Sequence, residues 1–145
     1  MPRGIEILHS KLMLPYASET IERERLFSLL SNIRNKKLTT IVAGAGYGKT
    51  TLIAQAKRHL NLKTVWYRLD ESDRDFATFL SYLVAGFRGH FPGFGTRTSQ
   101  RISEIQRISQ DQEAILTSFL AEIEMTINED LVIVIDDYHI IQASR

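Results

Sequence analysis

Along the chain, apolar residues spaced three and four apart alternate with short uninterrupted apolar runs, the pattern of an α/β protein. Leu26, Leu29, Leu30 and Ile33 share one face of a helix predicted over 21–33, which Ser18 or Thr20 can cap. Residues 38–43 are apolar and β-branched and predict the first strand. A helix over 49–60 is expected to bury Leu52, Ile53, Ala56 and Leu60. Residues 64–69 predict the second strand, and Asp70 to Asp73 end it and cap the next helix. That helix, over 75–87, places Phe76, Phe79, Leu80, Leu83, Val84 and Phe87 at i, i+3, i+4 and i+7 spacing. Four glycines and Pro92 make 86–95 a loop, and 97–108 reads equally as loop or short helix. A helix over 110–126 carries Leu116, Phe119, Leu120, Ile123 and Ile127 on one face. Leu131, Val132, Ile133, Val134 and Ile135 follow without alternation, which predicts a parallel strand covered on both faces.

The join between the first strand and its helix carries the chemistry. Ala43, Gly44, Ala45, Gly46, Tyr47, Gly48, Lys49 and Thr50 match the phosphate-loop pattern G-x-x-x-x-G-K-[ST] (Walker A), with Ala43 in place of the first glycine. Glycines let successive N–H groups turn inward at the positive end of a helix, which makes an anion nest. Lys49 supplies a charge for the β- and γ-phosphates, and the Thr50 hydroxyl can ligate Mg²⁺. Thr51 continues the motif into the helix. Tyr47 either packs on the nucleotide or covers the loop.

An apolar strand ending in Asp136 supplies the Walker B partner that Mg²⁺–nucleotide chemistry requires. Asp136 is expected to hold Mg²⁺ through water. Asp137 can act as general base on the attacking water, or be a plain strand terminus. His139 packs locally or senses the γ-phosphate. His9, His59 and His90 have no metal-ligand spacing.

Composition narrows the class without choosing within it. The chain has 145 residues, 43% hydrophobic and 24% charged, so it can bury a core. A net charge of +1 gives no bulk electrostatic case for nucleic acid. There is no cysteine, so no disulfide framework or thiolate metal site is available. No apolar run approaches the ~20 residues of a membrane span, and the start lacks a signal-peptide apolar region. Cytoplasmic location is expected, with no membrane partner.

Several stretches together resemble one family. Lys11, Leu12 and Pro15, then Glu22 to Leu26, resemble its N-terminal pattern. Ala43 to Leu52 resembles its phosphate loop A-P-A-G-Y-G-K-T-T-L, with Gly44 where the family usually has Pro. Val65 to Glu71 resembles W-[YL]-x-L-D-E, and Val134 to Ile141 resembles V-I-D-D-Y-H-x-I. The family is the ATPase module of the large ATP-binding bacterial regulators of the LuxR type, among the signal-transduction ATPases with numerous domains. The resemblance implies ATP or ADP with Mg²⁺, slow hydrolysis, and a switch between resting monomer and active oligomer in transcription regulation. It gives Lys49 the phosphate role, Thr50 and Asp136 the Mg²⁺ roles, and Asp137 the hydrolytic carboxylate. Arg23 aligns with an arginine that borders the nucleotide, although a solvated helix face accounts for Arg23 as well.

The expected fold is therefore α/β, a P-loop NTPase three-layer α/β/α sandwich with a parallel sheet, truncated after the Walker B strand. Residues 1–37 are expected to lead into the core, and 38–145 to be the N-terminal part of one incomplete NTPase domain. DNA binding is expected from a C-terminal helix-turn-helix outside this segment. Apolar surface around Leu131, Val132 and Val134 is expected to be poorly covered and to favour self-association. Two alternatives stand beside the switch. One is a P-loop small-molecule kinase, with Arg88, Arg97, Arg101 and Arg107 in a lid, and the other is a non-catalytic interaction module.

Overall fold

The computed structural model describes residues 4–16, 24–104 and 108–142, with only the backbone at 108–110. Arg23, Ser18, Thr20, Ile105 and Arg107 lie outside the described residues. The chain is α/β, with several helices and a small parallel sheet of two strands, and it divides into two units.

The first unit takes in the described residues up to Met13, Val65–Glu129 and those from Ile133 onward. Strand β1 is Thr64–Arg68 and strand β2 is Val132–Asp136. They run parallel, and at their C-terminal ends Leu69 N–H donates to the Asp136 carbonyl at 3.0 Å. Helix α3, Phe76–Arg88, follows a 3-10 turn at Glu71–Arg74. Asp70 and Asp73 cap that turn reciprocally, and Asp75 caps α3 by accepting from Thr78 N–H. The expected helix therefore forms, but its cap is Asp75, while Asp70 and Asp73 close the 3-10 turn before it. Helix α4, Thr96–Glu104, shows the described part of the ambiguous stretch up to Glu104 to be helix. Helix α5, Ile108–Thr126, breaks its helical backbone at Asp111.

The core of this unit is built from Val65, Trp66 and Tyr67 of β1, Leu80, Val84 and Phe87 of α3, and Ile115 and Phe119 of α5. Phe87 stacks on Phe94 at 4.7 Å, and Phe119 meets Phe87 edge-on at 5.6 Å. The predicted face of α5 is only partly the buried one. Ile115 and Phe119 are inside, whereas Leu116 and Leu120 are exposed. The buried stripe is rotated by about one residue, because the facing helix α4 is polar and meets α5 through Thr98 and Glu122.

Strand β2 is not covered on both faces as its apolar run predicts. Val134 is buried, Leu131 and Val132 are half-buried, and Ile133 is exposed. Among the described residues β2 has β1 as its ladder partner in a two-stranded sheet, so less of it is shielded than in a wide parallel sheet.

The second unit holds the described residues of Leu14–Thr64, with Asp130–Val132. Helix α1 is Glu24–Leu30, continued by a 3-10 turn at Ser31–Asn35, and helix α2 is Lys49–Leu60. Leu30, Leu52 and Ala56 form its core, with Leu26, Phe27 and Ile41 packed against them. Ile53 and Leu60 are half-buried, and Leu29 is exposed, against expectation. A single layer of two short helices shields only the sides that face each other. Helix α2 ends in a Schellman motif. Asn61 sits in the left-handed region at φ 47°, Leu62 N–H donates to Lys57 O, and Asn61 N–H donates to Arg58 O.

Residues 38–43 are not a strand. Leu38 is 82% exposed and Val42 is 90% exposed. β-branched composition makes the run suited to a sheet, but a strand exists only through a ladder with a neighbour, and the sheet consists of β1 and β2. Ile41 alone is drawn inward, onto the Leu30–Leu52 cluster.

Candidate functional site

The phosphate-loop motif lies wholly in the second unit. Tyr47 N–H closes a turn onto the Gly44 carbonyl at 3.4 Å. Gly48 then takes φ 76° and ψ 28°, a left-handed conformation open to glycine at little cost, and stands as the N-cap of α2. Leu52 N–H donates to Gly48 O at 2.9 Å, the first bond of the helical ladder. The N–H groups of Lys49, Thr50 and Thr51 therefore begin a helix with no residue four positions back in its own ladder. No acidic side chain stands in that first turn, while Lys57, Arg58 and His59 occupy the last. The first turn thus carries no acidic side chain of its own at the positive end of the dipole, whereas basic side chains match the negative end.

Lys49 folds back over the loop. Its ammonium donates to the carbonyls of Ala43 and Gly44, the second at 3.1 Å. Two of its three donors thus tie the start of the loop to its end. Ala43 fits where the pattern has glycine because its φ is negative; among the described non-glycine residues only Asn61 and Asp137 have positive φ. Gly44 has the Tyr47 ring against it, and a Cβ there would come within 2.8 Å of Cε2. The Tyr47 ring thus packs on its own loop at Gly44. Thr50 and Thr51 are half-buried in the first turn of α2. Leu52 and Ala56 anchor the helix in the unit's core.

The carboxylate pair lies in the first unit. Asp136 is the last residue of β2, and one of its carboxylate oxygens accepts from Asp137 N–H at 2.9 Å. Asp137 itself is left-handed, φ 58° and ψ 32°, and turns the chain out of the strand. A short 3-10 turn over Tyr138–Ile140 follows, in which Ile140 N–H donates to Asp137 O at 3.0 Å. The guanidinium of Arg74 donates to the Ile140 carbonyl, and its Nε donates to Glu71 at 2.6 Å. His139 is exposed.

A buried polar cluster that hydrophobic periodicity does not disclose also lies in the first unit. Lys11 Nζ sits 2.6 Å from Asp73 and 3.1 Å from Asp70, and 4.2 Å from the centre of the Tyr82 ring. The Tyr67 hydroxyl donates to Asp73, and Leu8 N–H donates to the Tyr82 hydroxyl at 3.1 Å. Burial alone would lower the Lys11 value, but its hydrogen bonds to Asp73 and Asp70 carry it above the ordinary lysine range. For Asp70, the Ser72 hydroxyl and then Lys11 hold the carboxyl below its ordinary value. The one sequence signal was the density of charge over 70–75, between a strand and a helix.

The arginines considered for a kinase lid are occupied elsewhere or placed on an ordinary helix. Arg88 Nε donates to Phe94 O at 2.6 Å and another nitrogen reaches Ser99 at 3.1 Å, which ties the end of α3 to the following loop and α4. Arg97 and Arg101 lie on α4. Among the described residues no cluster of three or more His, Cys, Asp or Glu is arranged to hold a metal ion. No helix among them is long and apolar enough to cross a membrane.

No protein-family model matches the chain. Among curated proteins, it is 40% identical over 141 residues to the HTH-type transcriptional regulator MalT of Yersinia enterocolitica. That alignment covers 93% of the chain. The chain belongs to the MalT-like family. It spans 15% of that relative's length. At that coverage the MalT-like stretch includes the phosphate-loop motif.

Proposed function

We propose that this MalT-like chain is the nucleotide-binding part of a transcriptional regulator, taking ATP or ADP with Mg²⁺ and acting as a slowly hydrolysing switch. The observation that carries the reading is the head of α2. A helix start with no acidic side chain in its own first turn follows a left-handed Gly48, and Lys49 is drawn over the loop by its carbonyls. This is a site for a phosphate chain. The name of the MalT relative supports the regulatory setting.

In this reading the loop residues Ala43, Gly44, Ala45, Gly46, Tyr47 and Gly48 cradle phosphate, and Lys49 adds charge. Thr50 and Thr51 supply the first-turn amides, and the Thr50 hydroxyl and the Asp136 carboxylate hold Mg²⁺. The donor set fits that ion, which keeps much of its water and takes one or two protein oxygens beside the phosphates. Bound Mg²⁺ would supply charge neutralisation between the β- and γ-phosphates. Asp137 orients and deprotonates the attacking water. Arg23 borders the nucleotide. The segment itself does not bind DNA, its setting is cytoplasmic, and self-association accompanies the active state.

Calorimetric titration with MgATP tests the reading. The chain is expected to bind, Lys49→Ala to weaken binding at least about tenfold, and Asp137→Ala to bind but not hydrolyse. Equal affinity in the Lys49→Ala chain would sink every nucleotide-based role. Sedimentation over a concentration series with and without ATP tests self-association, and a single monomeric species throughout would exclude it.

A further inference from the structure

The turn between β1 and α3 grips the backbone that follows the carboxylate pair. Arg74 is the last residue of the 3-10 turn Glu71–Arg74, which Asp70 and Asp73 close reciprocally. Its guanidinium is held by Glu71 on one side and reaches the Ile140 carbonyl on the other. Sixty-six residues separate Arg74 from Ile140. Ile140 in turn donates its N–H to Asp137 O. The segment so closed starts at the left-handed Asp137, whose own N–H is bonded to Asp136. Asp enters that region more readily than most non-glycine residues, and it is held there where its surroundings fix it. The Leu69–Asp136 ladder bond fixes the strand side of the pair, and Arg74 fixes the exit side.

We infer that Arg74 is a positioning residue for the Asp136–Asp137 carboxylates, which it orients by clamping the Ile140 carbonyl. The inference rests on the nucleotide reading, with Asp136 as the Mg²⁺ carboxylate. A guanidinium suits this task because one planar fork engages a carboxylate and a carbonyl together and does not deprotonate. Arg74 touches neither nucleotide nor metal in this role. It acts through the backbone, as outer partners of metal ligands do.

The test is a Mg²⁺ titration of ATP binding in the whole chain, with wild type, Arg74→Ala and Arg74→Lys. Arg74→Ala is expected to raise the Mg²⁺ concentration for half-maximal binding at least about tenfold, while Mg²⁺-free ATP affinity stays within about twofold. Arg74→Lys, which can still reach the carbonyl, is expected to recover part of the loss. Amide exchange read on the same proteins should quicken at Ile140 and Ile141 in Arg74→Ala, with α2 and α3 still protected. Equal loss of Mg²⁺-free and Mg²⁺-bound affinity, or unchanged exchange at Ile140, would overturn the positioning role. Wild type that binds ATP no better with Mg²⁺ would overturn the nucleotide reading and this inference with it. Normal wild-type behaviour beside an unshifted Arg74→Ala curve would overturn Arg74 alone.

Discussion

Lys11 Nζ lies 2.6 Å from a carboxylate oxygen of Asp73, across 62 residues of sequence, with both side chains almost fully removed from solvent. Breaking such a pair from one side strands a buried charge. Lys11→Ala is therefore expected to destabilise the first unit by about 3–5 kcal/mol, with Asp73→Ala similar. The double change Lys11→Met with Asp73→Leu should recover much of this, because no charge is left uncompensated. Urea unfolding followed through the buried Trp66 gives both values. Additive losses in the double variant would show that the two groups are not coupled.

The same cluster sets an alkaline limit. Lys11 is raised above its ordinary 10.5, because its bonds to Asp73 and Asp70 outweigh its burial. Tyr67 is raised by burial and by its bond to Asp73. Both groups hold their protons more tightly folded than unfolded. Their contribution is complete below the unfolded values and is lost as pH climbs through the folded ones. Melting temperature should thus hold steady up to about pH 10 and then fall. A flat curve beyond that pH would rule out the linkage.

Gly95 has φ +79°, and a Cβ there would meet a methyl of the buried Val84 at 2.3 Å. Gly95→Ala combines a left-handed backbone with overpacking, for an expected loss of about 3 kcal/mol. Gly95→Ala with Val84→Ala should still lose about 1–2 kcal/mol from the backbone term. Thermal unfolding of both variants checks the order.

Glu122 of α5 caps the start of α4. It accepts from Arg97 N–H at 3.1 Å and Thr98 N–H at 3.0 Å, and from the fully buried Thr98 hydroxyl. Its burial would raise its pKa, but the Thr98 and Arg97 bonds hold it below the ordinary value. Glu122→Ala leaves those donors unmatched, for a loss of about 2 kcal/mol. Amide exchange should show α4 opening before α3. Unchanged protection at Thr98 would remove Glu122 from this role.

What the sequence disclosed follows from how local each signal is. Gly48, Lys49 and the α2 register depend on neighbours within one turn, and they stand where the motif puts them. The start of α3 is likewise set by short-range capping, while β1 and β2 match their composition because each finds the other as a ladder partner. The 38–43 run failed as a strand because a strand is a property of a pair. Leu116 and Leu120 were misplaced because periodicity gives the width of a stripe, while the neighbouring helix chooses its direction. Lys11 with Asp73 was invisible for a related reason. A lysine reads as solvent-facing until a distant carboxylate is known to meet it.

The bare run from Leu38 to Ala43 has a practical consequence for anyone who purifies this protein. Six uncharged residues rich in β-branched side chains, without proline and largely open to water, have the makeup of a fibril seed. Identical runs on different molecules can stack edge to edge even while every helix remains intact. Shelf life in concentrated solution is then governed by this ribbon and not by melting temperature. A charge placed at Thr40 should lengthen it without touching the core.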